Sequence, residues 1–174
     1  FKRVEDMAGL KDLGCYITYA LRTINYKQRL RFIEWTLEQN KGNNGLVVID
    51  GIADLVSDVN NLEESNLCVQ KIMEWSARYD CHIITVIHSN YGSDKATGHL
   101  GSFLYKKCET AIALEPNSVH KENITVICKL SRGYSFDNFD FSVNKYGLPF
   151  VVGNIYDPLK DYVVQKPKHI EIPF

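Results

Sequence analysis

Residues 45–50 read GLVVID and residues 81–88 read CHIITVIH. Neither run alternates between apolar and polar residues, and such runs are typical of strands that are buried on both faces of a parallel sheet. A helical pattern from about Leu62 to Arg78 connects them, and Asn60 or Asn61 precedes it as an N-cap. Strand, helix and strand in this order predict a βαβ unit with a right-handed crossover.

The chain before the first run predicts a further strand and a further helix. Residues 14–20 (GCYITYA) form a short β-rich run. Residues 25–40 (NYKQRLRFIEWTLEQN) place Leu30, Ile33 and Leu37 on one helical face. We therefore expect an α/β sandwich with a mostly parallel central sheet.

The second half of the chain has a different pattern. Turn signals separate four short strand-like runs, which are TAIALE (110–115), NITVICKL (123–130), FDFSV (139–143) and PFVV (149–152). Successive short strands with tight turns predict antiparallel pairs, which we expect to extend the parallel sheet at one side. Residues 154–174 contain three prolines and scattered charges, and we expect an extended tail that packs on a neighbour or on its own domain.

Length and composition exclude several classes of protein. The 174 residues carry 20 Lys and Arg against 21 Asp and Glu, and 45% of them are hydrophobic, as in one ordinary folded domain. The longest apolar runs have about six residues, against the roughly 20 that cross a bilayer. Five cysteines without a C-x-x-C pair indicate free thiols rather than a zinc site or a disulfide framework. These features, and a start that lacks the layout of a signal peptide, favour a cytoplasmic protein without a membrane partner.

Asp50 and His88 are the first candidate site residues, since each is the last residue of its apolar run. In open α/β sheets ligands bind at the carboxyl ends of the strands. A carboxylate there orients the water shell of a phosphate-bound magnesium ion, and an imidazole hydrogen-bonds a terminal phosphate. Two other interpretations stay open, with Asp50 as a capping or turn carboxylate and His88 as a polar strand end. Residues 89–102 (SNYGSDKATGHLGS) predict a long loop over the same edge.

Several motifs in a fixed order resemble a known family. They are IDGIADL (49–55), VIHSN (86–90), GHLGSFLYKKCE (98–109), CKLSR (128–132) and YGLPF (146–150). In this order they resemble the second half of the RecA-like P-loop ATPase core, in the branch of replicative-helicase and plasmid RepA-type ATPases. Mobilization AAA-family ATPases encoded on mobilizable elements of Bacteroidetes are similar. The resemblance runs from about Tyr19 to Phe150 and implies a RecA-like sandwich over residues 1–153, followed by the tail 154–174.

The resemblance implies roles in ATP hydrolysis for four residues. Asp50 is then the Walker B carboxylate, which holds Mg²⁺ through water, and His88 is the sensor of the ATP phosphates. Lys129 and Arg132 match a late-strand basic pair that reaches the nucleotide of the neighbouring subunit. Their K-x-x-R spacing is one residue longer than the K-x-R of replicative helicases, which leaves open which side chain points at the phosphate; Arg132, beside Gly133, is the first choice.

The loop from Ser89 to Leu100 matches a segment that faces the central channel of ring ATPases. The resemblance makes Asn90, Lys95 and His99 candidate contacts to single-stranded DNA, while a merely solvated loop stays the alternative. Lys106 and Lys107, on the helix that follows, predict a solvated helix face rather than a DNA-binding stripe.

The resemblance implies a homo-oligomeric ring, such as a hexamer, that couples ATP hydrolysis to movement on single-stranded DNA. The phosphate-binding motif G-x-x-x-x-G-K-[ST] does not occur in the 174 residues. We therefore expect the chain to be the downstream part of a longer bacterial ATPase and to be inactive alone. A non-catalytic RecA-like DNA-binding or assembly module is the alternative. An α/β enzyme that uses His88 and Asp50 as an acid and base is a third interpretation.

Overall fold

The computed structural model describes residues 16–89 and 96–153, and the chain divides after Glu109 into two compact units. The first unit contains α1 (Tyr26–Gln39), β1 (Leu46–Asp50), a 3-10 helix (Ile52–Leu55), α2 (Leu62–Tyr79), β2 (His82–Val86) and α3 (Gly98–Lys107). The second contains β3 (Thr110–Pro116), β4 (Asn123–Ser131), β5 (Phe139–Val143) and β6 (Pro149–Val152). The protein is thus α/β, as predicted.

Local capping signals set the ends of α1 and α2. The Asn25 side chain accepts a hydrogen bond from the Gln28 N–H while the Gln28 side chain accepts one from the Asn25 N–H, which forms a capping box. The Asn61 side chain caps α2 through the N–H of Glu64, and Asp80 ends this helix in the left-handed conformation with φ of 48°. Both predicted helices are therefore confirmed to within a residue or two.

The predicted βαβ unit is present. β1 and β2 run parallel and in register, from Leu46 opposite His82 to Asp50 opposite Val86. Helix α2 connects them and contributes the fully buried Trp75 to the core of the first unit. Because parallel strands of equal length end together, the carboxyl ends of β1 and β2 lie at one edge.

The prediction that β1 and β2 are buried on both faces is wrong. Ile49 is 7% exposed and belongs to the core, but its neighbour Val48 is 58% exposed. On β2, Ile84 and Val86 keep 43% and 40% of their surfaces exposed. Successive side chains of a strand point to opposite faces, and the described helices of the first unit cover only one of them.

The predicted strand over residues 14–20 is also wrong where it is described. Tyr16 to Ala20 form no regular secondary structure, and residues 14 and 15 lie outside the described residues. The Tyr19 ring instead packs edge-on against Phe32 of α1, with 5.0 Å between ring centroids. Strand propensity reflects packing on a pleated surface, so a β-rich run that finds no such surface does not form a strand.

The strands of the second unit form a separate antiparallel sheet in the order β3-β4-β5-β6. The predicted antiparallel pairing is confirmed, but the predicted extension of the parallel sheet is wrong. β1 and β2 form a two-stranded sheet of their own, and no described strand pair joins the two sheets. Short connections let each strand of the second unit pair with the next in sequence, whereas parallel neighbours need long crossovers.

None of the helices within residues 16–89 and 96–153 is long and apolar enough to cross a membrane. The predicted grouping of residues 1–153 as one part of an ATPase core stays a prediction. The predicted tail, residues 154–174, lies outside the described residues.

Glu64 of α2 bonds both α1 and the segment after the 3-10 helix, and we expect its contribution to stability to depend on pH. Its carboxylate accepts hydrogen bonds from the Ser57 hydroxyl at 2.6 Å and N–H at 2.9 Å, and from the Tyr26 hydroxyl at 3.2 Å. These hydrogen bonds lower the pKa of Glu64 below its ordinary value of 4.5, and the bond from the Ser57 hydroxyl has the largest effect. A depressed carboxyl pKa stabilises the fold above the unfolded-state pKa, and this stabilisation is lost as the pH falls through the folded-state pKa.

Glu64→Gln is therefore expected to lower the midpoint of thermal unfolding near neutral pH, with a gap to wild type that closes in acid. Circular dichroism melts across the acidic range measure the gap. Glu63→Gln, at an exposed neighbouring position, is the matched control and should show a smaller difference. A gap for Glu64→Gln that does not change with pH would contradict the expectation.

Candidate functional site at the ends of β1 and β2

The two leading candidate residues lie at the same edge of the parallel sheet. Asp50 ends β1 opposite Val86, and His88 follows two residues after Val86, the end of β2. Both side chains are exposed. The structure thus brings Asp50 and His88 to the strand ends where α/β proteins bind ligands.

The backbone at His88 is held by Thr97. The Thr97 N–H and hydroxyl both donate to the His88 carbonyl oxygen, at 3.2 and 2.7 Å. An isolated antiparallel bridge joins Ser89 to Ala96 directly beside these bonds. The prediction of a loop over residues 89–102 is wrong at its end, because α3 begins at Gly98; residues 90–95 lie outside the described residues.

Sequence reasoning missed Thr97. A threonine before a helix predicts an N-cap, and Thr97 does occupy the N-cap position of α3. Its side chain makes no cap hydrogen bond and donates to the His88 carbonyl oxygen instead. Only the bridge between Ser89 and Ala96, which is a tertiary feature, brings Thr97 to that carbonyl.

Helix α3 packs closely against the base of this loop. Leu100 is fully buried in the core and donates its N–H to the Val59 carbonyl at 3.1 Å. A Cβ atom at Gly101 would lie 2.6 Å from the Ala96 carbonyl carbon, and one at Gly98 would lie 2.6 Å from the Val59 oxygen. Both glycines thus permit backbone approaches that any side chain would prevent.

Of the three predicted DNA contacts, one is described. His99 is exposed in the first turn of α3, on the helix that leaves the loop. Asn90 and Lys95 lie outside the described residues. Lys106 and Lys107 are exposed near the end of α3, and the Lys106 ammonium lies 5.9 Å from the Phe103 ring centroid.

Lys129 and Arg132 belong to the second unit, at the end of β4 and just after it. The Lys129 ammonium forms a salt bridge with Glu115 of β3 at 2.9 Å, and Arg132 is exposed in the connection that follows β4. Sequence reasoning missed Glu115. The role of both cations at a neighbouring nucleotide stays a prediction.

No group of three or more His, Cys, Asp and Glu side chains within the described residues could hold a metal ion. Magnesium usually keeps several waters and binds through one or two carboxylates and substrate phosphates. Asp50 supplies one exposed carboxylate at this edge, and its role in holding Mg²⁺ through water stays a prediction.

Cys68, Cys81 and Cys128 are free thiols, as the sequence predicts. Burial raises the pKa of Cys68 to about 11 and also raises the pKa of Cys81. Thiols with raised pKa values are poor nucleophiles, so these two cysteines are core residues rather than reactive groups.

The chain matches no protein-family model and no curated protein.

Proposed function

We propose that this chain is the downstream part of a RecA-like P-loop ATPase, of the kind that forms a cytoplasmic homo-oligomeric ring and couples ATP hydrolysis to single-stranded DNA. The observation that supports the proposal most directly is the shared edge of β1 and β2. Two parallel strands end there together, one in Asp50 and the other two residues before His88. P-loop ATPases need a carboxylate for the metal ion and a polar side chain that hydrogen-bonds the phosphates, both at the ends of neighbouring strands.

In this proposal each residue of the edge has a separate task. The Asp50 carboxylate accepts hydrogen bonds from water molecules on Mg²⁺, which neutralises charge on the phosphates when it is bound. The His88 imidazole donates a hydrogen bond to the terminal phosphate, and its carbonyl, held by Thr97, joins it to the loop that begins at Ser89. Loss of that phosphate would thus change the contacts of a residue at the base of the loop.

In this proposal the 174 residues supply only part of a nucleotide site, because they do not contain the motif of the phosphate-binding loop. Affinity for phosphates in this fold resides mainly in the backbone N–H groups of that loop. The proposal therefore requires the loop from a longer protein, and it expects no micromolar ATP binding by the 174 residues alone. Titration calorimetry with Mg-ATP measures this directly.

The decisive experiment measures ATP hydrolysis, with and without single-stranded DNA, by the protein as its complete gene encodes it. Asp50→Asn is expected to lower kcat by at least about 100-fold, because charge stabilisation around the metal contributes several kcal/mol to the transition state. Asp137→Asn is the matched control, since Asp137 is an exposed carboxylate in the connection between β4 and β5. It should hydrolyse ATP like the wild type.

Two results would contradict the proposal. One is wild-type turnover by Asp50→Asn, which would remove the assigned carboxylate from the site. The other is a complete protein that binds single-stranded DNA without hydrolysing ATP, which would favour the non-catalytic module.

A further inference from the structure

The outward face of α1 carries a cluster of aromatic rings. The inward face of this helix packs in the core of the first unit through Leu30 and Leu37. On the outward side the Phe32 ring has two aromatic neighbours, with 5.0 Å to the Tyr19 ring centroid and 5.8 Å to that of Trp35. Trp35 is 56% exposed and Tyr19 is 44% exposed. Exposed rings that cluster in this way mark a place where another molecule binds.

Two cations lie on the same side of the helix. Lys27, Arg31 and Trp35 are spaced four residues apart, and side chains at this spacing are neighbours on a helix surface. Both cations are exposed, and the Lys27 ammonium lies 5.7 Å from the Tyr26 ring centroid. No ion pair within residues 16–89 and 96–153 includes either of them. We give the name aromatic-basic surface to Tyr19, Lys27, Arg31, Phe32 and Trp35.

The acidic residues of α1 are paired with another helix. Glu34 forms a salt bridge with Lys71 of α2 at 3.0 Å, and Glu38 lies 3.9 Å from Arg78 of the same helix. Both carboxylates are thus engaged by cations of α2. The aromatic-basic surface therefore keeps a positive charge that no described ion pair neutralises.

The two cations occupy positions that are unfavourable for the helix itself. Lys27 lies in the first turn of α1, where the helix dipole favours anions, and this turn has no acidic residue. Like charges four residues apart, such as Lys27 and Arg31, also destabilise a helix. A bound anion relieves both effects, because it supplies the negative charge that the first turn and the pair of cations lack. Breaches of local rules of this kind are expected at functional sites.

We propose that the aromatic-basic surface binds single-stranded DNA, with a base stacked on Trp35 and the phosphate backbone beside Lys27 and Arg31. Proteins that bind single strands combine aromatic side chains, on which bases stack, with cations that follow the backbone. An apolar partner would leave both cations without counter-ions, and a simple anion would leave the rings unused. The choice of DNA rests on the proposed function, but the surface does not depend on the ATP site and lies outside the loop from Ser89 to Leu100.

The test measures the binding of a fluorescein-labelled oligothymidylate of about 12 nucleotides to the 174-residue chain by anisotropy, without ATP. Trp35→Ala is expected to weaken binding about tenfold, which is the contribution of one stacked base. Lys27→Glu should weaken binding to a similar degree and reduce its salt dependence, because fewer counter-ions are released. Tyr134→Ala and Lys121→Glu are the matched controls, at an exposed ring and an exposed cation of the second unit, and should bind like the wild type.

Lys27→Glu also separates binding from folding. It places an anion in the first turn of α1 and an opposite charge four residues before Arg31, and both changes favour the helix. We therefore expect its midpoint of thermal unfolding to equal or exceed that of the wild type. Weaker binding by a variant of unchanged stability is then a property of the surface.

Intrinsic fluorescence reports where the strand binds, because the chain has two tryptophans, the exposed Trp35 and the buried Trp75. A base that stacks on Trp35 quenches its emission and does not reach Trp75. Unlabelled oligothymidylate is expected to quench the emission of the wild type but not that of Trp35→Phe. This variant keeps a ring for stacking, so it should bind more tightly than Trp35→Ala.

Several results would overturn the inference. Wild-type affinity in both Trp35→Ala and Lys27→Glu, or no binding by the wild type, would remove the surface from DNA binding. Binding without quenching would mean that no base stacks on Trp35. Equal quenching by polyglutamate would make an acidic protein the partner, and tighter binding of oligouridylate would make it RNA. Quenching that is retained while the complete protein fails to hydrolyse ATP would count against the proposed function alone.

Discussion

Trp75→Ala is expected to lower the free energy of unfolding by about 3–5 kcal/mol, the usual cost of removing a large aromatic side chain from a core. Trp75 is fully buried on α2 and belongs to the cluster of buried residues that forms the core of the first unit. Domains are stable by only about 5–15 kcal/mol, so the variant should lose a large part of its stability. Urea denaturation followed by circular dichroism measures the change.

The chain offers a matched control, because its other tryptophan is on the surface. Trp35 is 56% exposed on α1 and packs only partly against Phe32. Trp35→Ala should change the free energy of unfolding by well under half as much, as surface substitutions usually do. Equal losses for the two variants would contradict the assignment of Trp75 to the core.

Gly101→Ala is expected to destabilise the first unit by about 1–3 kcal/mol, in the range of overpacked cores. Helix propensity alone predicts the opposite sign, since alanine is better than glycine within a helix by about 1 kcal/mol. The close contact with Ala96 decides the sign of the change, because the added Cβ would lie 2.6 Å from both the carbonyl carbon and the Cβ of Ala96. Either the backbone at Gly101 or the backbone at Ala96 must shift, and thermal unfolding measures the loss of stability.

The same substitution should loosen the base of the loop after β2. Ala96 pairs with Ser89, so a displaced Ala96 weakens that bridge. We expect faster tryptic cleavage at Lys95 than in the wild type. Ser102→Ala, at an exposed position of the same helix, is the control and should behave like the wild type in both measurements. An unchanged melting temperature for Gly101→Ala would show that the helix accommodates the methyl group.

The elements predicted most accurately are those with strong local signals. Helix α1 lies within the predicted stretch 25–40, and Asn61, one of the two candidate caps, is the N-cap of α2. Tyr16 to Ala20 show the limit of such reasoning, because β propensity there was not matched by a sheet surface to pack on.

The residues of the candidate site also divide into those that a local signal indicates and those that it does not. Asp50 and His88 are recognisable because each follows an apolar run, and the end of a strand is a local property. Thr97 and Glu115 were not found, since each acquires its partner through a contact between elements. No periodicity shows that a threonine nine residues away will bond a particular carbonyl.

The sequence by itself determined helices α1 and α2, strands β1 to β6, and the polar residues at or just after the ends of β1 and β2. These follow from short-range properties such as hydrophobic period, capping chemistry and turn residues. Only the tertiary structure decided that the strands form two sheets, that one face of β1 and β2 is exposed, and that Thr97 holds His88. Those features depend on contacts between different elements of the chain. A local pattern of residues does not specify which other element it will contact.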